Sequence, residues 1–556
     1  MTDYDAIIIG AGAGGGAAAY GLTRQGFKVL LLEAGPRFSP ENDYSLDQTD
    51  WERHSFPEKP SSHGRYSFVQ MQLLDKRWQH LRSWNHNRGN YVTGDHRIPS
   101  GSGYHHVRGV GGSTLRFTGE AHRFNPNAMQ MGSRFKVAAD WPLPYTDLIP
   151  FYEQAEKLIG VAGSPDVPDR AYRDGILQTA HPFSDTSRIL QAGAQALGLR
   201  WQANNRAALS HPLDGRPPCN YCNNCNRGCP RQDKGSVDIT FIRQAERTGK
   251  LTILSESPVL ELDTDKNNKI TSVIYQHQQQ SEKATAPVII LAAGALETPR
   301  LLLNSVSSSS PEGLANESGQ VGKNFMETLA WSSTGITDQE VQTYKGLPAD
   351  SICWDFNDPD SIPDIIGGCR FSSATAEAEL NGPVAYAHRI IPGWGANLKQ
   401  AMRSAFGRAV TIGAICESLP NPRSFISLDR EFKDSNGLPI AQIHSYLPDS
   451  ELDRMTFMAN KCREILSAAG IKERVEEYGT YDLFSTTHAF GTCRMGDDSD
   501  RSVVNAYGQS HRWKNLIICD ASTFPSSGGG ESPSLTIEAL ALRTAHWLGQ
   551  QARNLV

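Results

Sequence analysis

A glycine-rich turn between two apolar strands, close to the N-terminus, constrains the fold of this chain more than any other stretch. Apolar residues 6–9 lead into Gly10-x-Gly12-x-x-Gly15, a helix of small residues follows, and a second apolar run ends at Glu33. In such a turn the first glycine allows the bend, the second lets a pyrophosphate approach the backbone, and the third lets helix and strand pack closely. The helix N-terminus then faces the phosphates, and Glu33 can accept hydrogen bonds from ribose hydroxyls. The pattern predicts a dinucleotide site in an α/β domain.

Length and composition indicate a globular protein with more than one domain. The chain has 556 residues, of which 39% are hydrophobic and 21% charged, and its net charge is −6. Two interleaved domains are the default at this length. The modest charge argues against nucleic acid as a partner, and no apolar stretch is long enough to span a membrane. Because the first strand begins so near the N-terminus, there is no room for a signal peptide, and we expect a cytoplasmic protein.

Two later segments extend the dinucleotide-binding pattern. The run 108–114, Arg-Gly-Val-Gly-Gly-Ser-Thr, is too rich in glycine for the interior of a helix or strand. It suits a loop whose amides face a flat or anionic ligand, and a flexible surface loop is the alternative. An apolar strand from residue 288 meets another glycine turn at Gly294 and a helix, which predicts a second β-turn-α unit of the same sheet. The strand 515–520 and the helix that opens at 532–536 return the chain to this domain.

The remaining segments contain no motif that identifies a substrate. Residues 126–215 look like a separate unit, and residues 326–480 mix short strands and helices. Their aromatic residues either line a substrate cavity or belong to a core. We assign 1–40, 90–125, 216–325 and 481–556 to the dinucleotide-binding domain, and 41–89, 126–215 and 326–480 to a substrate-binding domain with excursions.

Four segments, taken in order, resemble the glucose–methanol–choline (GMC) flavoprotein oxidoreductases over nearly the full length of the chain. They are the first glycine turn with Glu33, the loop 108–114, the run 292–300 and the segment 488–536. The resemblance implies an α/β fold in which a Rossmann-like FAD-binding domain is interleaved with an α+β substrate-binding domain. It also implies FAD as the cofactor rather than a nicotinamide.

Within that family the chain is most similar to the flavin subunits of gluconate, glucose and fructose dehydrogenases. The similarity lies in the runs 111–115 and 140–145 and in a cysteine-rich segment that leads to 234–236. Bacterial sterol and alcohol oxidases of the family have a similar cysteine-lysine segment, so the branch stays open between the two groups.

The resemblance assigns cofactor contacts to several parts of the chain. The first glycine turn and its acid hold the ADP half of FAD, the second glycine loop lies against the flavin, and an aspartate lies near the ribityl chain. The residues expected to contact FAD are Gly10, Gly12, Gly15, Glu33, Arg108, Gly109, Gly111, Gly112, Ser113, Thr114, Ala293, Gly294, Asp520, Ala521 and Thr536.

Oxidation of an alcohol by a flavin requires a base for the hydroxyl proton, and histidine has a suitable pKa for that role. His488 stands where the family places its catalytic histidine. The family's second polar residue, usually His or Asn, aligns with Ser532. Serine can donate a hydrogen bond but is a poor base, so Glu531 or another side chain is the alternative. We favour His488 as the single base.

Four cysteines lie within eleven residues, at Cys219, Cys222, Cys225 and Cys229. This spacing is typical of iron–sulfur ligands, whereas a structural zinc site usually spaces two ligand pairs along a longer loop. Without Cys222 the pattern resembles that of glucose and fructose dehydrogenases, whose three-iron cluster relays electrons to a cytochrome. A [3Fe-4S] or [4Fe-4S] cluster is therefore one hypothesis. Reduced thiols that pack a loop over the flavin are the other.

The sequence thus predicts an FAD-dependent dehydrogenase that oxidises a CH–OH group of a sugar, sugar acid or polyol and passes electrons to an acceptor other than oxygen. One alternative is an oxidase of apolar alcohols or sterols that produces hydrogen peroxide. Another is a flavin electron-transfer subunit without substrate chemistry of its own. Relatives in the sugar branch pair with a small subunit that bears the export signal and with a cytochrome, and such a partner would place this chain in the periplasm.

Overall fold

The computed structural model describes residues 4–44, 51–53 and 65–553. Its α-helices are Ala13–Thr23, Pro40–Asp43, Met131–Phe135, Ile149–Ile159, Asp185–Ala196, Arg243–Glu246, Gly294–Asn304, Pro383–Ala385, Gly395–Ala405, Asp449–Ala468 and Ser534–Arg553. Among these described residues, no helix is long and apolar enough to cross a membrane.

A parallel sheet forms the dinucleotide-binding unit that the N-terminal turn predicts. Its strands in spatial order are Leu516–Ile518, Val288–Leu291, Ala6–Ile9, Val29–Leu32 and Leu251–Leu254. Ala6 lies opposite Val29 on one side and Val288 on the other. The central strands are buried along their whole length, as expected for parallel strands that are covered on both faces.

The helix Ala13–Thr23 packs between this sheet and the helix Ser534–Arg553, and its small residues make that packing possible. A Cβ atom on Gly21 would lie 2.6 Å from the Cβ of Ala545, and one on Gly14 would lie 1.6 Å from the carbonyl oxygen of Cys519. Larger side chains would push the helices apart. The run of glycine and alanine after the first turn therefore serves close packing as well as cofactor binding.

A large antiparallel sheet forms the second layer of structure. In spatial order its strands are Gly89–Asn90, Trp84–Asn85, Arg474–Gly479, Leu329–Ile336, Ala409–Cys416, Cys369–Ser373, Ser351–Cys353 and Gln202–Ala203. The helices Asp449–Ala468 and Asp185–Ala196 contribute to its core, which includes the buried side chains of Trp331, Phe371 and Met455.

Smaller sheets connect the two layers. Their strands are Val259–Thr264 with Ile270–His277 and Gln280–Ala284, Phe425–Lys433 with Pro439–His444 and Tyr66–Phe68, and Ile98–Tyr104 with Leu483–Thr486. The last pair is parallel, and Thr486 lies opposite Tyr104. Because the chain continues from one strand to His488 and from the other to the loop 108–114, this pairing brings both predicted site elements to the same end.

Residues 141–161 pack against the parallel sheet and its helices. Trp141, Leu148, Tyr152 and Ile159 are buried in the same hydrophobic core as that sheet. The sequence division placed them with the substrate-binding domain because residues 126–215 look like a separate unit in the sequence. The domain boundaries stay a prediction, and in the structure this segment belongs to the hydrophobic core of the parallel sheet.

The substitution Gly15→Ala tests the close packing of the first turn. A Cβ atom at this position would lie 1.8 Å from the carbonyl oxygen of Gly10, a backbone atom that cannot move aside. We expect a loss of about 3 kcal/mol in stability, because overpacking of this kind displaces backbone. Gly94→Ala is the control, since nothing lies within 4 Å of its Cβ position. Thermal unfolding and retained flavin measure the effect, and equal melting of the two variants would contradict it.

Candidate functional site

The two glycine loops meet directly at the edge of the parallel sheet. A Cβ atom on Gly112, whose φ is +55°, would lie 2.7 Å from the Cα of Gly12. The amide of Gly111 donates to the carbonyl of Ala11 over 2.9 Å. The loop 108–114 is therefore an ordered part of the first turn and not a flexible surface loop.

The buried carboxylate of Glu33 links these two loops by hydrogen bonds to their backbone amides. Its Oε2 accepts from the Ala11 amide at 2.9 Å, and its Oε1 accepts from the amides of Gly35 at 2.9 Å and Gly109 at 3.1 Å. Burial raises the pKa of Glu33, and these three amides act in the opposite direction. The acid predicted to bind ribose thus has a structural role in the chain itself, and its ribose contact stays a prediction.

Asp520 joins the second and third parts of the predicted cofactor site. Its Oδ2 accepts from the amide of Gly294 at 3.0 Å and from the hydroxyl of Thr298 at 2.6 Å. Its Oδ1 accepts from the amide of Ser522 at 2.9 Å. Ala293 and the buried Ala521 flank these contacts in sequence, so the two segments meet at the carboxyl ends of their strands.

The neighbourhood of these loops fits a dinucleotide. The helix Ala13–Thr23 begins at Gly12 with no side-chain cap and no acidic residue in its first turn. Its free amides and the positive end of its dipole therefore remain available to a phosphate. Ser113 is exposed although its neighbours 109–112 and Thr114 are buried, so its side chain faces open space beside the turn.

Three predicted cofactor residues direct their side chains to protein partners. Arg108 forms an ion pair with Glu297 at 3.1 Å. The hydroxyl of Thr114 donates to the carbonyl of Gly111 at 2.6 Å, and the hydroxyl of Thr536 lies 2.9 Å from that of Tyr152. Contacts between these residues and FAD would thus involve their backbones.

A buried ionic cluster lies at the C-terminal side of the site. Oε2 of Glu120 accepts from Arg370 at 2.6 Å and from the hydroxyl of Ser532 at 2.9 Å, and Oε1 accepts from Asn204 at 2.9 Å. Although burial favours the neutral form, Arg370, His122 and Arg206 hold the pKa of Glu120 far below its usual range. Glu120 is therefore a fixed negative charge at neutral pH.

His122 is neutral and its tautomer is determined by its partners. The amide of Ser532 can only donate, so the Nδ1 atom that it contacts at 3.1 Å carries no proton. The proton lies on Nε2, which donates to the side-chain oxygen of Asn204 at 2.8 Å. Burial lowers the pKa of His122 to about 3, although Glu120 acts in the opposite direction. With both ring nitrogens engaged, His122 positions the cluster.

His488 is half-buried. Whereas His122 is held through its ring nitrogens, His488 is held through its backbone. Its backbone is fixed, because its amide donates to the hydroxyl of Thr328 at 2.8 Å and its carbonyl accepts from the hydroxyl of Thr486 at 2.8 Å. No side chain in the described ranges hydrogen-bonds to the imidazole itself. Burial lowers the pKa of His488 to about 4, with Glu120 acting against this change and Arg370 reinforcing it. A neutral ring with a free nitrogen can accept a proton.

The two residues considered as partners of His488 are already engaged. Ser532 donates its hydroxyl proton to Glu120. Glu531 is buried, and its Oε1 accepts from Arg170 and, at 2.8 Å, from Asn357. The Ser532 hydroxyl is thus used to hold the segment 530–532 in place, and so is Oε1 of Glu531, whereas Oε2 of Glu531 has no hydrogen-bond partner in the described part of the chain.

The four clustered cysteines differ in their exposure and in their contacts. Cys225 is buried, Cys222 is exposed, and the Cys229 thiol lies 3.3 Å from Oδ1 of Asp233. Across residues 4–44, 51–53 and 65–553, His, Cys, Asp and Glu form no group of three or more that could hold a metal ion. The iron–sulfur hypothesis thus receives no support from the side-chain geometry, and we derive no electron path through this segment.

Lys234 links the cysteine segment to residues 115–117, which follow the second glycine loop. Its buried ammonium donates to the carbonyls of Leu115 and Phe117, both at 3.0 Å, and to that of Cys225 at 2.7 Å. Burial lowers the pKa of Lys234. The lysine therefore has a structural function, which explains why a cysteine-lysine segment occurs beside the second glycine loop.

Sequence reasoning did not identify Glu120, His122, Asn204 or Arg370. They contact one another although they are separated by up to 250 residues, so no spacing pattern connects them. The one available signal was the cluster of polar residues at 120–123 beside the predicted flavin loop.

Comparisons with known proteins agree with this geometry. Two models described as GMC oxidoreductase match residues 144–330 and 420–541, together more than half of the chain. A model described as NAD(P)-binding Rossmann-like domain matches residues 8–44.

Two relatives match over almost their full length. The fructose dehydrogenase large subunit of Gluconobacter japonicus is 28% identical, over 97% of this chain and 97% of its own. The 2-methyl-1,2-propanediol dehydrogenase of Mycolicibacterium austroafricanum is 26% identical, over 99% and 96%. The solved structure of pyridoxine 4-oxidase from Mesorbium loti, 18% identical over 98% of each chain with a TM-score of 0.60, shows the same fold.

The substitution Lys234→Met tests the link between the cysteine segment and the loop. It leaves three carbonyl oxygens without their shared donor, and we expect a loss of about 3 kcal/mol in stability. The Cys225 thiol should also react faster with a disulfide reagent. Arg231→Met is the control, because its side chain is 43% exposed. Thermal unfolding and thiol kinetics give the result, and Cys225 reactivity like that of the wild type would contradict the link.

Proposed function

The chain belongs to the GMC oxidoreductase family and is an FAD-dependent oxidoreductase that acts on CH–OH donors, and from this premise we propose that it is a dehydrogenase of sugars or polyols with His488 as the base. The neutral, half-buried imidazole of His488, fixed through its backbone beside Glu120 and Arg370, carries the proposal. Both relatives described above are named for substrates with several hydroxyl groups.

Bound FAD supplies the hydride acceptor for the reaction. The task of this chain is to remove the hydroxyl proton and to hold the substrate carbon in place. His488 accepts that proton at its free ring nitrogen, because the low pKa keeps the imidazole neutral in the resting site. The ionised Glu120 is an electrostatic neighbour of His488 and would stabilise the imidazolium that forms. Arg370, held by the Gly530 carbonyl and Ser372, keeps that carboxylate in position.

An oxidase that produces hydrogen peroxide is the second candidate, and the similarity of the cysteine-lysine segment to that of family oxidases supports it. The small exported subunit, the cytochrome acceptor and the cytoplasmic location stay predictions. A non-catalytic electron-transfer subunit is disfavoured, because the two relatives described above are named as dehydrogenases.

The substitution His488→Ala tests the base. We expect the rate of flavin reduction by substrate to fall about 10²–10⁴-fold, since this is the usual contribution of a positioned general base. Flavin content should not change, because no predicted FAD contact is removed. His546→Ala, at an exposed histidine of the last helix, is the control. Anaerobic stopped-flow absorbance gives the rate, and a variant as fast as the wild type would show that His488 is not the base.

The decline of the flavin-reduction rate at low pH reports on the charge of His488. Its pKa of about 4 predicts that reduction by a monohydric alcohol is constant near neutral pH and slows as pH falls through about 4. The sign follows from the requirement for a neutral ring, which protonation removes. If the rate instead fell at a pH near the ordinary histidine pKa, His488 would lie in a more solvated site than the structure shows.

The electron acceptor separates the dehydrogenase from the oxidase. We expect a sugar or polyol to reduce a soluble dye rapidly while oxygen consumption stays slow. Parallel assays with dichlorophenol-indophenol and with an oxygen electrode measure the two rates. Hydrogen peroxide formed in equal amount to the oxidised substrate would instead establish the oxidase.

A further inference from the structure

Two threonine hydroxyls meet at the backbone of His488. Thr328 directly precedes the strand Leu329–Ile336, and Thr486 is the last residue of the strand Leu483–Thr486. Both are buried, with exposed fractions of 6% and 0%. Their hydroxyl oxygens lie 3.0 Å apart, and the His488 carbonyl oxygen lies 3.1 Å from the first and 2.8 Å from the second. Side chains 158 residues apart in sequence therefore bind one point of the main chain.

Hydrogen-bond counting fixes the direction of each contact in this cluster. The Thr328 oxygen accepts from the amides of His488 at 2.8 Å and Thr487 at 3.3 Å. These amides use both lone pairs of the hydroxyl, so Thr328 gives its single proton to the His488 carbonyl. The Thr486 oxygen accepts from the Thr328 amide at 2.8 Å. Because the Thr328 oxygen is saturated, Thr486 donates to the same carbonyl. Both polar groups of the His488 backbone are thus bound, and the carbonyl is bound twice.

The segment that carries Thr328 is itself held on both sides. Met326 and Phe490 exchange backbone hydrogen bonds at 3.2 and 3.0 Å, which pairs this segment with the one that follows the base. Glu327 is buried, and its two carboxylate oxygens accept from Arg97 at 3.0 and 2.7 Å. Thr328 therefore stands on a fixed piece of backbone and transmits that position to the main chain of the base.

The ring of His488 has no comparable support. In the part of the chain that the structure describes, no group hydrogen-bonds to the imidazole, and its ring neighbour is Phe490, with 6.3 Å between the two centroids. A functional histidine is often oriented by a hydrogen bond from its second ring nitrogen to a carboxylate or a carbonyl. In the absence of such a bond, the direction of the ring is determined by the backbone from which its Cα–Cβ bond projects.

We infer that Thr328 and Thr486 are positioning residues, which orient the base through its main chain instead of through its ring. This inference rests on the proposed function and adds the residues that hold the base in place. Both threonines act through His488 and neither is required to touch the substrate. Their hydroxyls leave the two ring nitrogens free, one for the substrate proton. A displacement of the base by about 1 Å can slow a reaction about 10²-fold, so the effect of the hydroxyls is measurable as a rate.

The substitution Thr328→Val in the holoenzyme tests the inference, because valine keeps the branched shape and removes the hydroxyl. The probes are glycerol, sorbitol, glucose and fructose, and the one that reduces the wild-type flavin fastest is used. We expect the limiting rate of flavin reduction to fall about 10- to 100-fold. The substrate concentration at half-maximal rate should change little, since the hydroxyl binds no substrate. Thr328→Ser, which restores the hydroxyl, should recover most of the rate.

Thr334→Val is the matched control in the same strand. Thr334 is 0% exposed, and its hydroxyl lies 2.9 Å from that of Thr411, away from the base. This variant should lose thermal stability and keep the rate of flavin reduction. Thr486→Val provides a second test and should also slow reduction. Since both hydroxyls bind one carbonyl, the double variant with Thr328→Val should lose less than the product of the two single losses.

The outcomes distinguish this inference from the proposed function. If no probe reduces the wild-type flavin, or if His488→Ala is as fast as the wild type, the proposed function fails and the inference fails with it. If His488→Ala is slow while Thr328→Val keeps the wild-type rate, the inference alone is overturned. Equal slowing of Thr328→Val and Thr334→Val would make both residues merely structural, and no recovery in Thr328→Ser would remove the role of the hydroxyl. Either result also overturns the inference. If Thr328→Val does not fold, Thr486→Val decides in the same way.

Discussion

The fold depends on one buried carboxylate that ties two glycine loops together. Glu33 accepts amides from the first turn, from its own strand end and from the loop 108–114. Removal of a buried acceptor leaves donors without partners, at a cost of about 1–3 kcal/mol each. Since Glu33 and Gly109 are 76 residues apart in sequence, the acid couples the first strands of the parallel sheet to the second glycine loop. A family acid usually discussed as a ligand for ribose is here also the structural joint of the cofactor site.

A second buried charge, the carboxylate of Glu120, determines the electrostatic surroundings of His122 and His488. Glu120 is ionised because Arg370 and Arg206 compensate its desolvation, and both guanidiniums are themselves buried. Such pairs are costly to assemble, but loss of one partner is worse because it leaves an uncompensated charge. The result is a fixed electrostatic field in which His122 and His488 remain neutral while differing in function. His122 has both nitrogens engaged, and His488 has a free one.

The sequence predicted the parts of this site that depend on local geometry. The turn at 10–15, the loop 108–114, the strand before Gly294 and the strand before Asp520 are all signalled by glycine and apolar periodicity, and the structure brings them to one sheet edge. The charged cluster could not be predicted in this way, because Glu120 and Arg370 meet only through the large antiparallel sheet. Burial is also a property of the folded state, so the difference between an engaged His122 and a free His488 has no sequence signal.

The cysteine segment contacts two other parts of the chain. Burial raises the pKa of Cys219 to about 12 and that of Cys225 well above the ordinary thiol value. On one side of the segment, Lys234 binds it to the loop 115–117. On the other, Asn226 donates to the carbonyl of Ala376. The segment thus bridges residues 115–117, which follow the second glycine loop, and the turn that includes Ala376.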